Sequence, residues 1–327
     1  MTFKTGLRPV ALALAGALAA FVTPQPGAAQ DFPNKPVRMI VGLAAGGGTD
    51  ITARLIAQEM SKSMKVPVVV ENKPGGNFTI AAKEVAAAPP DGYTLYFISS
   101  SSLITQALHA DYPLDLLKFA AVSEVSTGPL ILVARKDLGP KTIREVLDLA
   151  RRKPGSLKFG TGGGTGSSLY LATEFLKATT GININIVPYR GSGPALNDLL
   201  GGHIDLMFDA MPMMSVQAKE GRVTPIAVTG QKRSPVLPDV ATVQESGLKY
   251  EITGWYGILA PPGTPPAIVQ RLRDETAKAV ALPEIVSKLG GQGMEPRGTQ
   301  PAEFAKYMAS ELALYTKIVK DANIKPQ

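Results

Sequence analysis

Short β-branched runs alternate with longer helical stretches along most of the chain. Val37–Val41 is apolar but for Arg38 and predicts a strand; a glycine-rich turn follows, then a helix over residues 49–64. Residues 66–70 and 93–98 predict the next two strands. Runs this short and this apolar suit strands covered by helices on both faces of a mainly parallel sheet. A second series begins at residues 130–133. Its first helix opens with Thr142-Ile143-Arg144-Glu145, a capping-box spacing, and sets Ile143, Val146, Leu147 and Ala150 on one face before Lys153-Pro154-Gly155 stops it. Further strands are predicted at 157–160, 184–187, 206–208 and 225–228, with helices between. After a strand at 255–260 the pattern turns helical. Pro265-Pro266 starts one helix with Ile268 and Leu272 inward, and Phe304, Met308, Leu312, Tyr315 and Val319 form the apolar stripe of the last.

Two alternating series and a helical return predict an α/β fold of two lobes. The expected division is residues 30–128 with 254–327 as lobe 1 and 129–253 as lobe 2, with crossings near 126–130 and 250–256. Residues 1–29 are read as a leader. Lys4 and Arg8 form a positive start, residues 9–22 are apolar but too few to span a bilayer well, and Gly27-Ala28-Ala29 suit signal peptidase. Export to the periplasm is the expectation. With the leader removed, 32 basic residues face 27 acidic ones, a mild excess that favours small anions through a weak general field. The basic residues are scattered, the longest cluster being Arg151-Arg152-Lys153 at a helix end, so no nucleic-acid partner is expected. The chain has no cysteine, which excludes disulfides, thiolate chemistry and Cys-based zinc sites.

Two glycine-rich turns carry the candidate chemistry. Gly42-Leu43-Ala44-Ala45-Gly46-Gly47-Gly48-Thr49-Asp50 and Gly160-Thr161-Gly162-Gly163-Gly164-Thr165-Gly166-Ser167-Ser168 each leave a strand and enter a helix. A helix N-terminus has unpaired N–H groups and partial positive charge, and glycine lets a ligand approach the backbone. Such a turn favours an anion by roughly 0.3–1 kcal/mol when exposed, and up to ~2 when partly buried. The hydroxyls of Thr161, Thr165, Ser167 and Ser168 add donors. Either turn alone is equally an ordinary connection capped by Asp50 or Ser167. Neither has the Gly-Lys-Ser/Thr ending of a phosphate loop or a dinucleotide fingerprint. Two such turns in two lobes suit an acid held at both ends.

Little in the sequence supports catalysis. His203 lies in a helix-to-strand turn and His109 in a polar loop, and neither a Gly-x-Ser-x-Gly elbow nor a His-Glu-x-x-His helix occurs. Asp205 and Asp209 flank a strand; Asp209 reads equally as a strand-end cap or as a cleft-lining group. Trp255 is a hinge, a cleft wall or core.

Taken together these segments resemble the extracytoplasmic solute receptors of tripartite tricarboxylate transporters, the Bug-type binding proteins. The blocks that carry the likeness include Gly47-Gly48-Thr49-Asp50, Val70-Glu71-Asn72-Lys73-Pro74-Gly75-Gly76-Asn77, Pro90-Asp91-Gly92-Tyr93, Val187-Pro188-Tyr189-Arg190-Gly191-Ser192-Gly193-Pro194 and Ala260-Pro261-Pro262-Gly263-Thr264-Pro265. The resemblance implies a Venus-flytrap of the type II periplasmic binding class, with mainly parallel sheets flanked by helices. It implies a small di- or tricarboxylate or aromatic acid as ligand, the membrane subunits of a tripartite transporter as partners, a monomer, no cofactor and no metal. The ligand positions carry over to Ala44, Ala45, Gly46, Gly47, Gly48, Thr49 and Asp50 in the first loop. In the second they fall on Thr161, Gly163, Gly164, Thr165, Gly166, Ser167 and Ser168. Ser101, Ser102 and Asp209 complete the set. Where the family has prolines this chain has Gly42 and Ala44. Ser101 to Gln106 replace a Thr-His-Ala-x-Asn-Pro segment, Tyr170 replaces a His, and Ala210 an Asn. These swaps point to a larger or less polar acid, such as an aromatic carboxylate. A sensor of the same fold, or an exported α/β enzyme on an acidic substrate, are the rival readings.

Overall fold

Three parallel strands begin the fold: β1 (Val37–Val41) lies between β2 (Val68–Asn72) and β3 (Thr94–Ser99). The computed structural model describes residues 1–3 and 32–324, so the expected leader lies outside the described residues but for its first three. The described residues from 33 to 324 belong to one compact unit. Helices α1 (Gly48–Met64) and α2 (Thr79–Ala86) make the crossovers, and α3 (Ser100–Leu108) follows β3 directly.

The next strand joins two sheets. β4 (Ala120–Arg135) runs for 16 residues, of which the sequence pattern predicts only 130–133. Its N-terminal half carries buried Ser123, Glu124 and Ser126, which break the apolar run. Two of these are satisfied from outside the strand: the Ser123 hydroxyl donates to Thr299 O at 2.9 Å, and Glu124 N donates to the Thr299 hydroxyl at 3.0 Å.

Beyond α4 (Ile143–Arg152) come β5 (Lys158–Gly162), α5 (Ser168–Thr180), β6 (Asn185–Tyr189), α6 (Ser192–Leu200), β7 (Leu206–Ala210), α7 (Met211–Lys219) and β8 (Val223–Val228). The chain then returns through β9 (Thr253–Ala260) to α8 (Pro266–Ala281), α9 (Pro283–Gly291), the two-residue β10 (Glu295–Pro296) and α10 (Pro301–Asp321). The first sheet runs β2-β1-β3-β9-β4 and the second continues β4-β7-β5-β6, with β8 also on β4. Strands β1–β3 are parallel, as are β5–β7, while β4 and β9 run antiparallel to their neighbours. An antiparallel pair between two parallel series lets the chain pass from one lobe to the other and back.

The joint between the sheets is stapled. Gly128 and Pro129 of β4 pair with Gly254 and Thr253 of β9. Just past β8, Thr229 N donates to Leu130 O at 2.9 Å, and Leu130 N donates to the Thr229 hydroxyl at 2.8 Å. Trp255 is core: its indole N–H donates to Glu311 Oε2 at 3.1 Å and Tyr315 OH at 3.2 Å. Its ring meets Phe304 edge-on at 5.7 Å. Phe304, Met308 and Tyr315 of the α10 stripe are buried, whereas Leu312 and Val319 are half-buried. At the α4 start the Thr142 hydroxyl accepts from Glu145 N at 3.3 Å, while the Glu145 carboxylate reaches Lys141 N at 2.7 Å.

Candidate functional site

Strands β1, β3, β5, β6 and β7 all lead into helices at the same edge of the two sheets. The first residues of four of those helices, Gly48, Ser100, Ser168 and Ser192, line a single cavity, together with Ala210, the residue before the fifth. Four of the five, α1, α3, α6 and α7, have no side chain bonded over their first amides. Only α5 is capped, the Ser167 hydroxyl accepting from Tyr170 N at 3.1 Å. Uncapped helix starts leave amide donors and partial positive charge aimed at one space. Open α/β sheets hold ligands beyond the carboxyl ends of their strands for this reason.

The rest of the lining is hydroxyl-rich and narrow. Thr49, Ser99, Ser101 and Tyr256 add side-chain oxygens, and Leu43, Leu130 and Leu169 add apolar walls. Among the described residues, no Lys, Arg or His lines the cavity. Its volume is about 30 Å³, which holds roughly two waters. Ser101 ties the two halves together across it: its hydroxyl accepts from Ser168 N at 3.0 Å and lies 2.9 Å from the Ser168 hydroxyl. The loops of the two sheets also meet directly. A Cβ on Gly191 would lie 2.9 Å from Ala44 Cβ, so only glycine allows this approach.

Among the described residues, the one carboxylate lining the cavity is Asp209, at the end of β7 and 1% exposed. One of its oxygens accepts from Ala210 N at 2.7 Å, and the other has no partner in the structure. Burial pushes its pKa up to about 7, against the opposing pull of the Ser192 hydroxyl and the Ala210 amide. Tyr256, also buried, is raised by burial and by the Asp209 charge.

The residues predicted from sequence divide into those that line this cavity and those that shape it. Ala44, Gly47, Gly48, Thr49, Ser101, Ser168 and Asp209 line it. Asp50 does not: its carboxylate is buried against its own loop, accepting from Gly46 N at 3.0 Å and Asn72 Nδ2 at 3.0 Å, with Arg54 at 3.0 Å. Burial opposes the charge, but these three partners outweigh it and hold the Asp50 pKa below the usual range. Asn72 also donates to Leu43 O at 2.9 Å, which braces a loop lacking prolines. Ala45 and Gly46 lie outside the lining, and Gly46 supplies the turn with φ +86°. The Ser102 hydroxyl bonds Tyr96 OH at 2.8 Å instead. Thr161, Thr165, Gly166 and Ser167 shape the second loop behind the lining; the Gly166 carbonyl accepts from the Thr105 hydroxyl at 2.6 Å. Gly163 and Gly164 face an outer groove of about 530 Å³ shared with Asn77, Phe78 and Arg190. His203 is exposed, and Asp205 braces a strand end through Arg135 Nε and Lys158 N.

Ser100, Gly162 and Ala210, which the family resemblance also reaches, line the cavity too, whereas Leu43, Ser99, Leu130, Leu169, Ser192, Gly254 and Tyr256 escaped the sequence reading. Ser192 could have been found, because Gly191-Ser192-Gly193 is a third strand–glycine–helix junction. Tyr256 and Gly254 carry no local signal; they reach the cavity only because β9 runs through the joint.

This arrangement, two α/β lobes joined by paired strands with helix starts around the cleft between them, defines a periplasmic binding-protein fold. Solved structures bear this out. An adipate-bound protein of R. palustris superposes with TM-score 0.87 at 34% identity, covering 91% of this chain and 100% of that one. MatC from Rhodopseudomonas palustris with bound malate gives 0.84 at 31%, covering 88% and 100%. A UPF0065 protein of Agrobacterium vitis is 35% identical over 311 residues, 93% of this chain and 90% of the relative. The profile of the tripartite tricarboxylate transporter family receptors matches residues 52–324, and the chain belongs to that family.

Proposed function

We propose that this chain is a periplasmic solute receptor that closes over a small organic carboxylate and hands it to a tripartite membrane transporter. The observation that carries the reading is the convergence of five helix starts, four of them uncapped, on one cavity that has no cationic side chain. Backbone amides, not Lys or Arg, are then what receives the anion. Malate and adipate in relatives of similar sequence support the same ligand class.

Residues 30–128 with 254–327 form one lobe and 129–253 the other, and the leader at 1–29 directs export. A cavity of about 30 Å³ is far below the 300–1,000 Å³ typical of ligand sites, so the lobes part to admit an acid. The stapled joint at Leu130 and Thr229 is where they turn, and closure on the ligand shifts the open–closed balance. No chemical step is required, and the protein works as a monomer without a cofactor. Isothermal calorimetry of the full chain against malate, adipate and benzoate tests this. Saturable one-to-one binding of at least one acid is expected; no heat from any of the three at millimolar concentration would sink the reading.

A further inference from the structure

We propose that Asp209 is a ligand-contacting residue that meets the bound acid as a neutral carboxyl, donating its proton to a ligand oxygen, so that capture in alkaline solution takes up a proton. This deepens the receptor reading and rests on it. The geometry is specific. Asp209 is 1% exposed and lines the cavity; one oxygen is fixed by Ala210 N at 2.7 Å, and the other is buried and unpartnered. A ligand carboxylate arriving there is acceptor-only, as is an ionised Asp209. Two acceptors cannot share a contact without a hydrogen between them.

The surroundings supply no other charge to settle the conflict. Tyr256 of β9 is the one titratable lining group besides Asp209, and Ser192 of α6 offers a hydroxyl. On β4 the residue paired with Asp209 is Ile131. On α1 the acidic Asp50 is already taken by Arg54, and on α7 the first charge is Lys219 at the far end. Arg190, after β6, faces the outer groove. With the neighbours silent, the proton comes from solvent, and burial has already raised the Asp209 pKa to about 7. The carboxyl O–H stays on Asp209 while it donates, so no bond is broken and the ligand remains an anion.

The test titrates the full chain with adipate and with malate at pH 6.5 and pH 8.5, in buffers of different ionisation enthalpy. Linkage from a pKa of about 7 predicts about 25-fold weaker binding at the higher pH, with close to one proton taken up per acid there. Asp209→Asn, which cannot titrate, should show a change of less than about threefold between the two pH values and no proton uptake. Wild-type affinity that is equal at both pH values, or that strengthens on raising pH, overturns the proposal, as does a variant that keeps the slope. Strengthening with malate alone would mean that ionised Asp209 accepts from the ligand hydroxyl. If neither acid binds at either pH, the receptor reading itself fails. Should the variant not fold, wild-type proton uptake decides the matter alone.

Discussion

Gly162 offers a direct test of whether the α6 start belongs to the site. It ends β5, lines the cavity and lies against Ser192. An alanine Cβ there would sit 2.7 Å from Ser192 N, 2.7 Å from its Oγ and 2.8 Å from its Cα. The hydroxyl could swing away, but the two backbone atoms cannot. Ordinary contact is about 3.4 Å or more, so the first turn of α6 must retreat by roughly 0.6 Å. Overpacking of this kind costs about 1–3 kcal/mol of stability, which at this chain length lowers Tm by roughly 2–6 °C.

The effect on binding should be larger than the effect on folding. A hydrogen bond to a charged group contributes about 1.5–3 kcal/mol, so displacing the α6 donors weakens acid binding by about tenfold to a hundredfold. Calorimetry on Gly162→Ala reads this, with Gly181→Ala as control. Gly181 ends α5 at φ +68° with nothing within 4 Å of a Cβ, so its substitution costs about 1–2 kcal/mol of backbone strain with no reason to alter affinity. If Gly162→Ala binds acid within twofold of wild type while melting lower, the α6 start is not part of the anion site.

Two other substitutions separate the bracing from the core. Asp50→Ala removes the acceptor for Gly46 N, Asn72 and Arg54 and should cost about 2–3 kcal/mol near neutral pH; Arg54 is half exposed, so the ion pair itself is the smaller part. Because the folded pKa of Asp50 lies below its ordinary value, that stability is present above the unfolded pKa. Thermal melts of wild type and variant should therefore converge as pH falls towards 3, and a constant gap would refute the assignment. Gly257→Ala puts a Cβ 2.2 Å from Phe304 Cζ, in the seam between β9 and α10. A loss of about 3 kcal/mol or more in urea unfolding is expected, and a melt unchanged within error would mean the Phe304 ring moves freely.

The sequence revealed the parts of the fold that obey a single periodicity. β1 stands where its apolar run predicts, and α1 begins one residue before its predicted start. β4 was half hidden because Ser123, Glu124 and Ser126 are buried polar groups, the first two satisfied by the distant residues Thr299 and Arg297. Nothing local distinguishes them from a loop. The glycine turns were legible as strand-to-helix junctions whose helix starts line the cavity, since the physics that favours glycine there is local. The division of labour within them was not. Asp50 and Ser167 sit beside lining residues yet act as brace and cap, and only three-dimensional direction separates the roles. Tyr256 was invisible for a related reason: its strand reaches the cleft only once two sheets have been joined.

The buried carboxylate decides how an anion site without cations can work. A ligand carboxylate about 5 Å from an ionised Asp209, at an effective dielectric near 20, would be repelled by about 3 kcal/mol. One partly buried helix start returns at most about 2 kcal/mol, so leaving Asp209 charged would cancel more than one of the five. Neutralising it is cheaper: with a pKa of about 7, adding the proton costs about 1 kcal/mol at pH 7.5, and the cost overtakes the repulsion only near pH 9. Below that point uptake of a proton is the lower path, and the helix starts are left to act on the ligand alone. Above it, binding should lose its dependence on pH, because both carboxylates then remain charged in the complex.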